Sequence, residues 1–312
     1  MAEDSDTVLF ERRGVAGWIV FSRPERMNAL SPQMVRAMWA QLAKVEADPE
    51  VRVLVLTGQG DAFCAGMDMA GLEQANAMAA RRRSREIQML TGRIAELSLP
   101  TIAAVGGVAM GAGLEICLAC DLAVASEGAR FAFPEARLGM IPCGGGTQRL
   151  ARVVGLRRAR DMIFSGRILD AALAVEWGLV NEAVSDMELA DTVQEMAEKI
   201  AAGGRIALYQ AKRCINHALD MDLGRGLEYE TECFTTCFAS GEPAAALRRF
   251  TTPGPQEEVT VAEADGPAEA PQPGDESPRA EAEEEGPETL AVEEVAPPAQ
   301  PPDDDYDEDI FE

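Results

Sequence analysis

The sequence predicts an α/β fold, and three observations carry that prediction. Short apolar runs alternate with amphipathic stretches of helical period. Hydrophobic residues make up 47% of the 312 positions, enough for a sizeable core. No uninterrupted apolar run reaches about 18 residues, so no membrane insertion is expected.

Taken in order, residues 8–10 and 18–21 read as paired strands, with turn residues near Gly14 and Gly17. Ser31 then opens a helix as its N-cap. Pro32 suits the first helical position, where no N–H is needed, and Met34, Met38, Leu42 and Val45 recur along one face. Asp48-Pro49 ends it. Residues 51–57, 101–105 and 122–125 are apolar enough to be buried strands. Between the first two, residues 69–97 read as helical, with a basic cluster Arg81-Arg82-Arg83-Ser84-Arg85 taken as a solvated face. Residues 147–181 are expected to be mostly helical, broken at Gly155, Gly166 and Gly178. Helices only are expected over 187–250, with a break at Gly203-Gly204 and an apolar helix over 227–238. Such an extension packs on something, and a second subunit is one candidate.

The net charge of −25 is unevenly placed. Beyond Phe250 lie 21 acidic residues, one base (Arg279) and 11 of the 18 prolines. The first 250 residues hold 32 acids and 27 bases, a net of −5. Like charge, proline and low hydrophobicity cannot offset the entropy of ordering, so 251–312 is expected to be a disordered acidic tail. Its end, from Asp303 to Glu312, sets Tyr306, Ile310 and Phe311 among acids, a pattern suited to an unknown protein partner. The expected domains are thus 1–186 as the α/β core with the site, 187–250 as a helical oligomerisation region, and 251–312 as the tail. The acidic start, Met1-Ala2-Glu3-Asp4, argues against a mitochondrial transit peptide, and seven cysteines without a signal peptide read as reduced thiols of a cytoplasmic protein. Cys117 and Cys120 form a lone CxxC and read as small buried helix residues.

The chemistry points to two glutamates. Glu115 closes the small-residue run from Val105, and Glu135 closes Phe131-Ala132-Phe133-Pro134-Glu135. Adding water across a carbon–carbon double bond needs one group to take a proton and another to give one. A carboxylate pair with separated pKa values does both near neutral pH. A glycine-rich turn entering a helix exposes N–H groups that can hold an oxyanion. His217 is the only histidine, which leaves no base for a serine or cysteine triad and no histidine-rich metal site. No glycine fingerprint follows a strand in the setting a nicotinamide cofactor needs.

Four stretches together resemble the crotonase superfamily, in particular its enoyl-CoA hydratase/isomerase family. They are residues 22–30, the segment Ala62-Phe63-Cys64-Ala65-Gly66-Met67-Asp68, residues 111–121, and residues 133–150 with Gly144-Gly145-Gly146-Thr147-Gln148-Arg149-Leu150. The resemblance covers about 8–250 and implies a ββα spiral core. It implies an oxyanion hole from the backbone N–H groups of Met67 and Ala112, and catalysis by Glu115 and Glu135. Glu115 would deprotonate the attacking water, and Glu135 would protonate the α-carbon. Ala65, Met67, Asp68 and Gly111 would line the acyl-CoA thioester. Arg26, Phe234 and Arg248 would meet the coenzyme A moiety, Phe234 and Arg248 from a neighbouring subunit. Two departures stand out: the lysine usual after Asp68 is Ala70, and the lysine-bearing end is shortened to residues 244–250; compensation by the Arg81–Arg85 cluster is the alternative to its reading as a solvated face. No metal or redox cofactor is implied, and the usual assembly is a homotrimer or hexamer.

The implied activity is 2-enoyl-CoA hydration, with Phe133, bulky beside Glu135, favouring a short or slim acyl group. Isomerisation, dehalogenation or ring chemistry on another acyl-CoA is the alternative, and a non-catalytic scaffold with a partner-binding tail is a third. Nucleic-acid binding is not expected, because helix 32–46 carries only Arg36 and Lys44 as cations.

Overall fold

The computed structural model describes residues 7–251. The chain opens with β1 (Val8–Arg13), β2 (Ala16–Phe21), α1 (Pro32–Ala47), β3 (Val53–Gly58), β4 (Ala62–Cys64) and α2 (Ala77–Ala95). Next come β5 (Thr101–Val105), β6 (Val108–Met110), α3 (Ala112–Cys117), β7 (Leu122–Ser126), β8 (Arg130–Ala132), α4 (Gly146–Val154) and α5 (Leu156–Ser165). It ends with β9 (Leu169–Asp170), α6 (Ala171–Glu176), β10 (Glu182–Val184), α7 (Leu189–Ala201), α8 (Arg205–His217), α9 (Leu223–Ala239) and α10 (Glu242–Thr251). Apart from Thr251, the predicted tail lies outside the described residues.

Two sheets organise the α/β body. The large sheet runs β1-β2-β3-β5-β7-β10, with only the β1/β2 hairpin antiparallel. The small sheet runs β4-β6-β8-β9, parallel except at β9. Three times in succession the chain leaves a strand of the large sheet and enters one of the small sheet: β3 to β4, β5 to β6, β7 to β8. After the first two steps a helix follows, the ββα unit the resemblance implied. Gly107 (φ 69°) serves one such step, since a Cβ there would stand 1.9 Å from the carbonyl oxygen of Asp61.

Both faces of the large sheet are covered, which is why its strands read as continuous apolar runs. Ile19, Leu54, Leu56, Ala103 and Val105 face α1, α2 and α3. Their neighbours Trp18, Val53, Val55, Ile102 and Ala104 face the opposite way, against Leu189, Val193, Ala197 and Ala201 on or beside α7. Each fully buried Leu, Ile or Val here contributes roughly 1.5–3 kcal/mol.

α1 forms as its cap predicts: Ser31 Oγ accepts the Met34 N–H at 3.1 Å, and Met34, Met38, Leu42 and Val45 are buried. α2 starts later than position 69. A 3-10 turn at Leu72–Gln74 follows Gly71 (φ 79°), and the helix begins only after Asn76, whose side chain accepts the Ala79 N–H at 2.9 Å. Gly17 is a strand residue opposite Arg12, so the hairpin turns at Gly14 alone. The glycine breaks at 155, 166 and 178 all carry positive φ, with the short β9 between two of them. α7 to α10 are helical throughout, with additional breaks between α8 and α9 and at Gly241. All seven cysteines are free, Cys117 buried and Cys120 half-buried.

Candidate active site

Glu115 is the fourth residue of α3, a helix with every residue buried. The chain enters it from β6 through Gly111, whose φ 50°, ψ −124° conformation is open only to glycine. At Gly113 a Cβ would stand 2.0 Å from the Cys64 carbonyl oxygen. Small residues thus let α3 lie directly against the backbone after β4. Glu115 is 1% exposed. Its Oε1 accepts two backbone N–H groups, from Gly144 at 2.6 Å and Gly146 at 2.8 Å. Its Oε2 is buried without a hydrogen-bond partner. Burial pushes the Glu115 pKa up, opposed by the two amides and by the Arg149 guanidinium. Arg149 also ties the loop down, donating to the Gly144 carbonyl at 3.0 Å and to Thr91 Oγ1 at 3.2 Å.

Glu135 starts a 3-10 turn (Glu135–Leu138) just after β8. Its Oε1 lies close to Gly111, 2.8 Å from where a Cβ there would stand, and its Oε2 is buried and unpartnered. Burial raises its pKa to about 7, with its own backbone N–H lowering it and the Glu115 charge raising it further. Both glutamates border one cavity of about 770 Å³, together with Ala65, Gly66, Met67, Gly111, Ala112 and Cys143. Two buried carboxylate oxygens lacking partners on one cavity form an arrangement that a water or substrate hydroxyl satisfies.

Two backbone donors border the same space. Met67 pairs with Leu30 in a parallel bridge, in which Leu30 bonds to Gly66 O (2.7 Å) and Asp68 N (3.0 Å). That pairing leaves the N–H of Met67 turned away from Leu30. Ala112 is the first residue of α3, where the N–H has no intrahelical acceptor. The segments adjoin: Ala112 N lies 3.6 Å from the position of a Cβ on Gly66.

Of the residues predicted for the site, Ala65, Met67, Gly111, Ala112, Glu115 and Glu135 border the cavity. Asp68 does not. It pairs with Arg23 at 2.7 Å and accepts the Ala70 N–H at 3.1 Å, and the Arg23 hydrogen bond holds its carboxyl below the usual range. Asp68 thereby pins the loop that carries Met67. Arg26 is exposed on the turn Pro24–Arg26, Phe234 is 63% exposed on α9, and Arg248 is exposed on α10; none borders the cavity of its own chain.

Phe133 requires a correction. Its side chain is fully buried beneath Gly146, where a Cβ would stand 2.7 Å from the ring, and it does not border the cavity. The wall is built instead by Met67, Met69, Leu72, Leu138, Met140 and Ile141, with Ala77, Ala80 and Ser84 of α2. The sequence reading also missed the use of Gly144 and Gly146. Their N–H groups hold the Glu115 carboxylate, although three glycines before a helix were a legible anion-binding signal. Among the described residues, no three His, Cys, Asp or Glu side chains converge as metal ligands, and no helix is long and apolar enough to cross a membrane.

Comparison with known proteins agrees with this geometry. The enoyl-CoA hydratase/isomerase family matches residues 11–254. A short-chain-enoyl-CoA hydratase of Clostridium acetobutylicum is 35% identical, over 78% of this chain and 94% of its own length. A crotonyl-CoA hydratase of Syntrophomonas wolfei is 33% identical, over 78% and 95%. The crystal structure of an enoyl-CoA hydratase from Bacillus anthracis superposes with a TM-score of 0.75 at 33% identity, covering 78% of this chain and 95% of that one. Motifs, fold and relatives together place the chain in the enoyl-CoA hydratase/isomerase family of the crotonase superfamily.

Proposed function

We propose that this protein hydrates 2-enoyl-CoA thioesters to 3-hydroxyacyl-CoA. The observation that carries the reading is the pair of unpartnered buried oxygens, Glu115 Oε2 and Glu135 Oε2, on one cavity beside the N–H groups of Met67 and Ala112. The thioester carbonyl oxygen sits between those two donors. A water molecule held by the two carboxyls attacks the β-carbon and gives a proton to Glu115. The π electrons move onto the thioester oxygen, where each donor is worth about 3 kcal/mol to the transition state. As the enolate collapses, the carboxyl of Glu135 protonates the α-carbon. The next water, bridging both carboxyls, returns the proton from Glu115 to Glu135.

The raised pKa of Glu135, about 7, supports its role as the acid, because much of it is protonated at neutral pH. The amides on Glu115 Oε1 support its role as the base, because they stabilise its charged form. Relatives named for short-chain and crotonyl substrates support a short acyl group. We assign the large exposed side chains of α8 to α10 to a homotrimer or hexamer contact, and the protein to the cytoplasm.

The test is incubation with crotonyl-CoA, following loss of the conjugated enoyl-thioester absorbance, with Glu135→Gln as control. Rapid loss that falls by about 10²–10⁴ in the variant is expected. Binding of crotonyl-CoA without hydration would move the assignment to an isomerase-type reaction. Absence of both binding and hydration would favour the scaffold.

A further inference from the structure

We propose that Ser84 and Gln88 of α2 are positioning residues for Glu115. They grip the peptide between Cys143 and Gly144, whose N–H binds the carboxylate, and so set its strength as a base. The inference rests on the hydratase reading, which makes Glu115 the acceptor of the water proton.

A chain of contacts is the first argument. Ser84 Oγ and Gln88 Nε2 each donate to the Cys143 carbonyl at 3.0 Å. On the other side of that peptide, the Gly144 N–H donates to Glu115 Oε1 at 2.6 Å. One planar unit thus joins α2 to the carboxylate. Two donors on its carbonyl polarise the amide and make its N–H a stronger donor, the cooperative effect of hydrogen bonds in series. Thr91, further along α2, holds the next carbonyl, that of Gly144, at 2.7 Å. Residues 84, 88 and 91 recur at i, i+4 and i+7, so they share one face of the helix.

Packing is the second argument. A Cβ on Gly144 would stand 2.4 Å from the Ile87 side chain and 2.6 Å from Glu115 Oε2. The loop is therefore wedged between α2 and the carboxylate. The amide of Gln88 is itself oriented: Arg85 donates to its Oε1 at 3.2 Å, which leaves Nε2 for the loop.

Electrostatics is the third. Burial pushes the Glu115 pKa up, and the Gly146 and Gly144 amides oppose it, so a weaker Gly144 amide raises the proton affinity. The other titratable and charged groups facing Glu115 are Arg149 of α4, Glu135 after β8 and Cys143 of the loop, with Arg83 of α2 facing Cys143. None of them changes when Ser84 or Gln88 is replaced by a neutral residue. As a base Glu115 works charged, so activity is lost as pH falls through its pKa. A slackened amide moves that loss to higher pH.

The experiment compares Ser84→Ala, Gln88→Ala and the double variant with the unmodified protein on crotonyl-CoA, between pH 5.5 and 8. Relative to the unmodified protein, kcat/KM of the double variant is expected to fall about fivefold at the acid end and less than about twofold at the alkaline end, the worth of one net hydrogen bond. Ser84→Thr, which keeps the hydroxyl, should show less of the pH-dependent loss than Ser84→Ala. Gln88 is exposed, so Gln88→Ala alone carries the test if the double variant does not fold. An equal loss at every pH, the mark of a merely structural role, overturns the proposal, as does no loss. Infrared titration of the Glu115 carboxyl, identified by its absence in Glu115→Gln, reads the same shift without turnover. A midpoint that rises in the double variant supports the grip even if crotonyl-CoA is not hydrated, in which case the hydratase reading fails alone. An unmoved midpoint overturns the proposal.

Discussion

The surroundings of α3 and the helices α8 to α10 treat large side chains in opposite ways. Around α3 the large apolar side chains are covered: Leu114, Ile116, Phe131 and Phe133 are fully buried, and glycines bring backbone against backbone. At the helical end, Ile215, Leu227, Phe234, Phe238 and Leu247 are more than half exposed, and Leu223 is 78% exposed. Phe234 and Phe238 stack on each other, 5.0 Å between centroids, with little else over them. The first region is completed by one chain. In the homo-oligomer proposed above, another copy would complete the second, each covered Leu or Phe adding roughly 1.5–3 kcal/mol. The two glutamates are therefore brought together within one chain, whereas on the proposed assembly the helical end would draw part of its stability from a neighbour.

The sharpest way to break the finished region is Gly113→Ala. The added Cβ meets the Cys64 carbonyl at 2.0 Å, and no side chain can yield there. A cost above about 3 kcal/mol is expected, read as loss of soluble protein or of the cooperative melt. A normal melt would mean that α3 and the β4 segment are not in contact.

A smaller effect comes from pH. With its pKa raised to about 7, Glu135 is protonated below that value and charged above it. As proton donor it is lost as pH rises, so kcat/KM should fall about tenfold per unit above neutrality. A flat profile between pH 7 and 9 would remove Glu135 as the acid.

The smallest effect probes the unfinished region. Phe234→Ser/Phe238→Ser should lower the assembly state in light scattering and the melting temperature by about 5–10 °C, with a new dependence on protein concentration. An unaltered mass would place the subunit contact elsewhere.

What could be read from the sequence tracks the length of the signal. α1 was legible in full, because Ser31, Pro32 and four apolar positions all say the same thing. The large sheet was legible from its five- and six-residue strands, but not its three-residue edge strand β10. The small sheet was not: β4, β6 and β8 have three residues each, too few to display a period. Yet the ends of β4 and β6 lead to Met67 and Ala112. Glu115 and Glu135 stood out because their motifs did, whereas the amide donors at 144 and 146 carry no side chain to notice. Phe133 misled because nearness in sequence to Glu135 says nothing about which way a ring points.

The division of labour between the two oxygens of Glu115 reaches beyond the resting structure. One accepts two amides from the loop at 144–146 and the other has no partner, so the two oxygens stand in different surroundings. The loop then acts as a tuning peg for basicity. Slackening either amide would raise the proton affinity of Glu115 without touching the residue itself. A change of reaction in a descendant of this chain could begin in three glycines, with both glutamates still in place.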